Sequence, residues 1–328
     1  MAVHYWDGST DGDWATAANW TAALPVADGE VIFDGRQVAV IPVTGMTDGG
    51  SVSDSGHANA ATLDLLHFKS TYTGGIASAA LPCITSPDKL VIEGSGTYHI
   101  SCGKTSQVTD TSIPITIINN KDAIVYLYSN SNSATNLSEF TDVYLLAGTL
   151  YIAWNTVELD VGCYVKNLYI APTNNSPGNT TVDIDKDCFD ELNDVPTNIF
   201  MQNGTVTCDT QLGTVNMYAG TFTYGDSASA ETVLDITRLN LHSGIFTWQP
   251  NEAAATITTA YLFGGTLDGS GTTNAGNGKV ITTCYLFSGA TLDMANNRGD
   301  ITLTNLYRIG GDLTIDKNAK VAVTYNQP

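Results

Sequence analysis

The sequence predicts an all-β chain, a single-stranded parallel β-helix with an N-terminal cap, and three observations lead there. The first is a ten-residue block that keeps returning: "VNMYAGTFTY" at 215–224, "LNLHSGIFTW" at 239–248, "AYLFGGTLDG" at 260–269, "CYLFSGATLD" at 284–293 and "LYRIGGDLTI" at 306–315. "IFMQNGTVTC" at 199–208 and "VYLLAGTLYI" at 143–152 have the same shape. The second is the pattern within a block. Apolar residues alternate with period two and are Thr, Val, Ile, Tyr, Phe and Leu, which marks strands and not helices. The third is the spacing between blocks. The aligned glycines Gly204, Gly220, Gly244, Gly265, Gly289 and Gly311 stand 16, 24, 21, 24 and 22 residues apart. That suits one rung of a solenoid, where each unit buries its apolar face by stacking on the next, whereas a propeller blade or helical repeat needs roughly 34 to 45 residues. About eight to twelve rungs are expected by this reading.

Taken in order, residues 1–60 read as a cap or attachment segment and 61–328 as the β-helix. Trp6, Trp14 and Trp20 fall close together, three of the five tryptophans in the chain. A first rung would otherwise expose its core and strand edges, so an aromatic cluster is expected to seal that end. The same bulk suits an interface, and the three tryptophans are the candidate attachment residues. A sugar-stacking platform is the alternative for them. Residues 30–43 alternate like strands, and 44–61 are rich in Gly, Ser, Asp and Ala and read as a loop. Residues 61–78 give a strand and a turn at Gly74–Gly75. Residues 89–101 give a hairpin or a rung pair around Gly94–Gly96. Residues 113–132 hold two strands separated by Asn119–Asn120, since Asn tolerates left-handed geometry at a corner. Residues 171–198, rich in Pro, Asn and Asp, break the rhythm and are expected to protrude as an insertion. Residues 269–278 form a second flexible corner, and the C-terminal "KVAVTY" a closing strand.

Composition restricts the partners. The chain has 33 acidic and 13 basic residues, a net charge of −20, and no basic run. Nucleic-acid binding depends on Lys and Arg neutralising phosphates, so neither a nucleic acid nor an anionic membrane is expected as a partner. Only 14% of residues are charged, which leaves Thr, Ser, Asn and Gly to cover the surface. The opening residues "MAVHYWDGSTDGDW" lack a basic stretch followed by an apolar one, so folding in a cytoplasm is expected. Six cysteines lie far apart with no C-x-x-C pair. In a reducing compartment they are expected as buried thiols, with a disulfide or a metal role as alternatives.

Two acidic groups carry what chemistry the sequence offers. Asp183, Asp185, Asp187, Asp190 and Asp194 fall at positions 1, 3, 5, 8 and 12 of a stretch, which echoes a calcium loop. Asp183, Asp185, Asp187 and Asp194 are the candidate calcium ligands, and no other cofactor is expected. Cys188 stands where such a loop needs Gly, and the last residue is Asp where Glu is usual, so a solvated acidic loop is the competing reading. Asp268 and Asp293 follow their repeat glycines by three and four residues and would meet on adjacent rungs, about 4.8 Å apart. A glycosidase pair needs roughly 5 to 9.5 Å. "TLD" also occurs at 62–64, which favours a repeated turn residue over a catalytic one, and no enzyme is expected. His4, His57, His67, His99 and His242 are scattered. His242 replaces Phe or Tyr at its repeat position and is expected as a stacked surface residue.

The stretch "GDWATAANWTAALPVADGEVIFDG" at 12–35 resembles the opening of many β-solenoid surface proteins, among them autotransporter-like adhesins and virion proteins of tailed bacteriophages. "LDLLHFKSTYTGGIASAALP" at 63–82 and the glycine-punctuated rungs after it resemble phage structural proteins in particular. The resemblance covers roughly the first 150 residues plus the repeat style beyond them, and its motifs carry no catalytic residues. It implies a right-handed helix and a structural virion protein: a head decoration or protrusion protein, trimeric, on the major capsid protein at the capsid surface. The alternatives are a tail fibre or spike, or a surface adhesin, that binds or cleaves a cell-surface polysaccharide.

Overall fold

The computed structural model describes residues 2–10, 14, 16–25, 28–36, 63–77, 83–102, 112–128, 138–152, 163–172, 180–185, 188, 197–225, 233–249, 254–270, 278–295, 301–315 and 322–325. The chain is all-β, with parallel strands stacked as a β-solenoid of about eight turns. One 3-10 turn, Ala17–Asn19, is the only helical element among the described residues. Residues 37–62, where the expected cap ends, lie outside the described residues, as do most of the expected insertion at 171–198 and residues 271–277 of the second corner. Two compact units divide the chain: residues 1–168 with 190–194, and residues 169–189 with 195–328.

In the N-terminal unit, Val3–Tyr5, Glu30–Phe33, Leu65–Phe68, Lys89–Ile92 and the first half of Ser112–Tyr128 follow one another in parallel register. Gly96–Ser101 pairs with Cys83–Ile84 and with the second half of Ser112–Tyr128, which in turn pairs with Ser138–Ile152. Residues 89–101 are therefore a rung pair, not a hairpin. The two strands expected on either side of Asn119 are one element whose register breaks between Ile118 and Ile124. Asn120 closes that corner with its own side chain, donating to the Glu93 carbonyl at 2.6 Å and accepting from the Asp122 N–H at 2.9 Å. Phe33 stacks on Phe68 at 4.7 Å in this core, and Phe68 meets Tyr98 edge to face at 5.0 Å.

The C-terminal unit holds the repeated blocks, and each block is two strands joined at its glycine. The first strands are Leu212–Met217, Val233–Leu241, Ala254–Leu262, Lys279–Leu286 and Ile301–Arg308, each in register on the one before. The second strands run from Thr180–Ile184 and Thr205–Cys208 through Thr221–Tyr224, Ile245–Trp248, Gly265–Asp268 and Ala290–Met294 to Asp312–Ile315. Alternation then dictates burial. Val215, Leu239, Ala260, Cys284 and Leu306 form one inward column, and Phe222, Phe246, Leu267 and Leu292 face them from the second strands. The closing strand Ala322–Tyr325 pairs with Ile301–Arg308.

All six cysteines are buried thiols and none is in a disulfide. Burial pushes the Cys284 thiol up to about 12 and Cys208 well above its ordinary value. The thiolate is the reactive form, so these residues serve as small apolar core groups.

Candidate functional site

The outward positions of the repeats make columns that run up the C-terminal unit. One column is Asn216, Asn240, Tyr261, Tyr285 and Tyr307, fixed by strand register. Tyr261, Tyr285 and Tyr307 stack at 4.7 and 4.8 Å, and below them the Asn240 amide donates to Asn216 Oδ1 at 2.8 Å. The neighbouring column is Tyr218, His242, Phe263 and Phe287, stacked at 4.5, 4.8 and 5.0 Å, with Ile309 at the next position. His242 is thus the stacked surface residue that its repeat position predicts. Tyr261 and Phe263 stand side by side at 6.1 Å and join the two columns into one face, and the Arg238 guanidinium lies 5.8 Å from the Tyr261 ring. The N-terminal unit repeats the device with His99, Tyr126 and Tyr151, each step 4.7 Å. The rings sit near-parallel at rung spacing, so their faces are occupied by one another and their edges point outward. That arrangement suits edge-on contact with an apolar surface better than a sugar laid flat on a ring.

On the second strands the outward columns are hydroxyl and carboxylate. Thr205, Thr221, Ile245, Thr266 and Thr291 form one; Asp183, Thr207, Thr223, Thr247, Asp268, Asp293 and Thr314 form the other. Asp268 and Asp293 are direct register partners, as their spacing predicts. Each closes its own turn. Asp268 Oδ1 accepts from the Ser270 N–H and hydroxyl at 3.0 and 2.5 Å, and Asp293 Oδ1 from the Ala295 N–H at 2.9 Å. Like charges on directly opposite strand positions repel. Asp293→Asn keeps the turn acceptor and removes the repulsion. It should stabilise the chain by about 0.5 kcal/mol, with the gain shrinking at high salt, as urea melts at two ionic strengths would read.

Of the calcium candidates, Asp183 and Asp185 are half-buried, and desolvation together with the charge of Asp185 raises the Asp183 carboxyl above its ordinary value. Asp187 and Asp194, with Asp190, lie outside the described residues. Among the described residues no three acidic, His or Cys side chains are grouped to hold a metal ion. Trp6, Trp14 and Trp20 are 1%, 0% and 4% exposed. They pack on one another at 4.5 and 5.0 Å and on Phe33 at 5.7 to 6.1 Å, and the Trp20 indole donates to the Trp14 carbonyl at 2.8 Å. A contact made by this segment would use its exposed Ala17, Ala18, Thr21 and Ala22, since the rings are enclosed by the chain itself.

One functional group has no counterpart in the sequence reading. Lys279 occupies an inward position where its register partners are Ala255 and Ile301. It is 1% exposed, and its ammonium donates to the Trp248 carbonyl at 2.7 Å and the Gly269 carbonyl at 2.9 Å, beside the Trp248 ring. Burial lowers its pKa from 10.5 to about 8, with nearby Asp268 opposing the shift. Between those two values the folded chain has shed this proton while the unfolded chain still holds it, so the Lys279 contribution to stability rises with pH. Tyr224 and Cys208 have the opposite sign. Burial raises both, so their contribution is complete below their ordinary pKa and is lost at higher pH. Comparing wild type with Lys279→Met cancels the Tyr and Cys part. From pH 8 to 10.5 the wild type should gain about 3 kcal/mol on the variant, read by urea melts across that range.

No family model, no curated protein and no solved structure matches the chain.

Proposed function

We propose that the chain is a structural virion protein of a tailed bacteriophage: a head decoration protein bound to the major capsid protein, made in the host cytoplasm and displayed on the capsid as a homotrimer. One observation carries this reading. A rigid stack of rungs presents a continuous aromatic face on a chain that is otherwise acidic and hydroxyl-covered, and exposed apolar faces of that kind lie against other proteins. The likeness of residues 12–35 and 63–82 to phage structural proteins supports the particle as the setting. The work done is mechanical. Each rung adds a parallel hydrogen-bonded ladder and a packed apolar layer, so load applied at one rung is shared with its neighbours. Mass spectrometry of purified particles, with copy number set against the major capsid protein, tests it. Hundreds of copies per particle are expected; absence from any particle would sink the proposal.

The pairing of Asp268 with Asp293 favours a second reading, a tail fibre or spike that binds or cleaves host polysaccharide. A handful of copies per particle, with reducing ends released from capsular polysaccharide by wild type and not by Asp268→Asn, would favour that reading over the first.

A further inference from the structure

The aromatic face of the C-terminal unit runs against the charge of the chain that carries it. The chain has 33 acidic residues. Yet the two aromatic columns and the adjacent one from Thr214 to Asn305 contain no carboxylate, and their single charged group is Arg238. Exposed large apolar residues collect there as well. Tyr218, Phe263 and Ile309 are 52%, 41% and 57% exposed. We infer that this face is where copies of the chain associate, with their stacks of rungs aligned.

Two arguments select a second copy as the occupant. The first is electrostatic. Copies that each carry −20 repel wherever their carboxylates come within about a Debye length, ~8 Å at physiological salt. A face without carboxylates is where they come into contact at the lowest electrostatic cost. The second is geometric. The columns are corrugated with ring steps of 4.5 to 5.0 Å. A second copy presents the same period, so its ring edges meet these at the same level on every rung, as in dry interfaces between stacked sheets. A surface of any other period falls out of step within a few rungs. The outward ring edges, Tyr in quantity and one Arg fit the composition of interface cores. The inference does not depend on the virion reading.

Sedimentation velocity of the full chain over a wide concentration range tests it. Wild type should self-associate, more tightly as salt is added, because salt screens the repulsion of the remaining surface. Phe263→Glu should weaken the association about tenfold or more. Thr223→Glu, on the outward column of the second strands, should leave it unchanged. Circular dichroism and a thermal melt check that each variant folds. If Phe263→Glu does not fold, Tyr218→Glu, on the more exposed ring, carries the same expectation. A wild type that stays monomeric throughout would overturn the inference, as would association that both Glu variants leave intact. A monomer that binds polysaccharide through Phe263 would assign the face to a glycan and overturn it too.

Discussion

Gly244→Val is expected to destabilise the chain by about 3 kcal/mol, through strain and overpacking together. Gly244 has φ +86°, a conformation that a β-branched residue scarcely adopts, and it stands in the corner between Val233–Leu241 and Ile245–Trp248. A Cβ there would stand 2.5 Å from the Gly220 carbonyl oxygen and 3.0 Å from its nitrogen, backbone atoms of the rung below. Gly265 repeats the relation one rung on, with its added Cβ 2.6 Å from the Gly244 carbonyl oxygen. The glycines thus stack on one another, and a side chain at one level pushes on the next. Gly289 is the internal control. It has φ +91° with nothing within 4 Å of an added Cβ. Gly289→Ala should therefore lose only the backbone part, about 1 kcal/mol, and Gly244→Ala distinctly more. Urea melts of the two alanine variants decide the matter. Equal losses would mean that conformation alone, and not close stacking of rungs, places glycine at these corners.

Phe246→Ala is expected to be as damaging, at about 3 to 5 kcal/mol. Phe246 is fully buried, stacks on Phe222 at 4.8 Å and touches Tyr224 at 6.2 Å between centroids. Each rung is thin, so neighbours above and below are held in register and cannot collapse into the space left behind. Removing the ring leaves a cavity and breaks the internal aromatic stack. The contrast is Phe263→Ala on the outer column, where the ring is 41% exposed and water takes its place. That variant should lose no more than about 1 kcal/mol. Thermal melts of both settle it: a Phe263→Ala loss equal to that of Phe246→Ala would show that the outer ladder holds the solenoid together, which its exposure argues against. A double variant, Phe222→Ala with Phe246→Ala, should lose less than the sum of the singles, because the stacked pair is removed once.

The strands, their parallel stacking and their inward face were legible in the residues. Period-two alternation decides which side of a strand is apolar, and a fixed spacing with one glycine per block decides that the blocks pile up. The same logic placed His242 on the stacked outer column and brought Asp268 near Asp293 on adjacent rungs, where a one-residue slip in the glycine alignment makes them direct partners. The wide spacing of the cysteines, with no C-x-x-C pair, pointed to buried thiols, which is what they are. Tertiary structure decided what depends on the neighbouring rung. Nothing in the sequence singles out Lys279, whose ammonium meets the carbonyls of Trp248 and Gly269 from 31 and 10 residues away. Asn119 reads as a break, and the register does break there, between Ile118 and Ile124, although Ser112–Tyr128 is one element. Trp6, Trp14 and Trp20 read as an end cap or attachment segment, with a sugar platform as the alternative, and all three pack inward on Phe33. The carboxylates of Asp268 and Asp293 meet as register partners, and each also accepts a turn N–H, from Ser270 and Ala295. Periodicity fixes the column a residue stands in, while the contacts made there come from the folded chain.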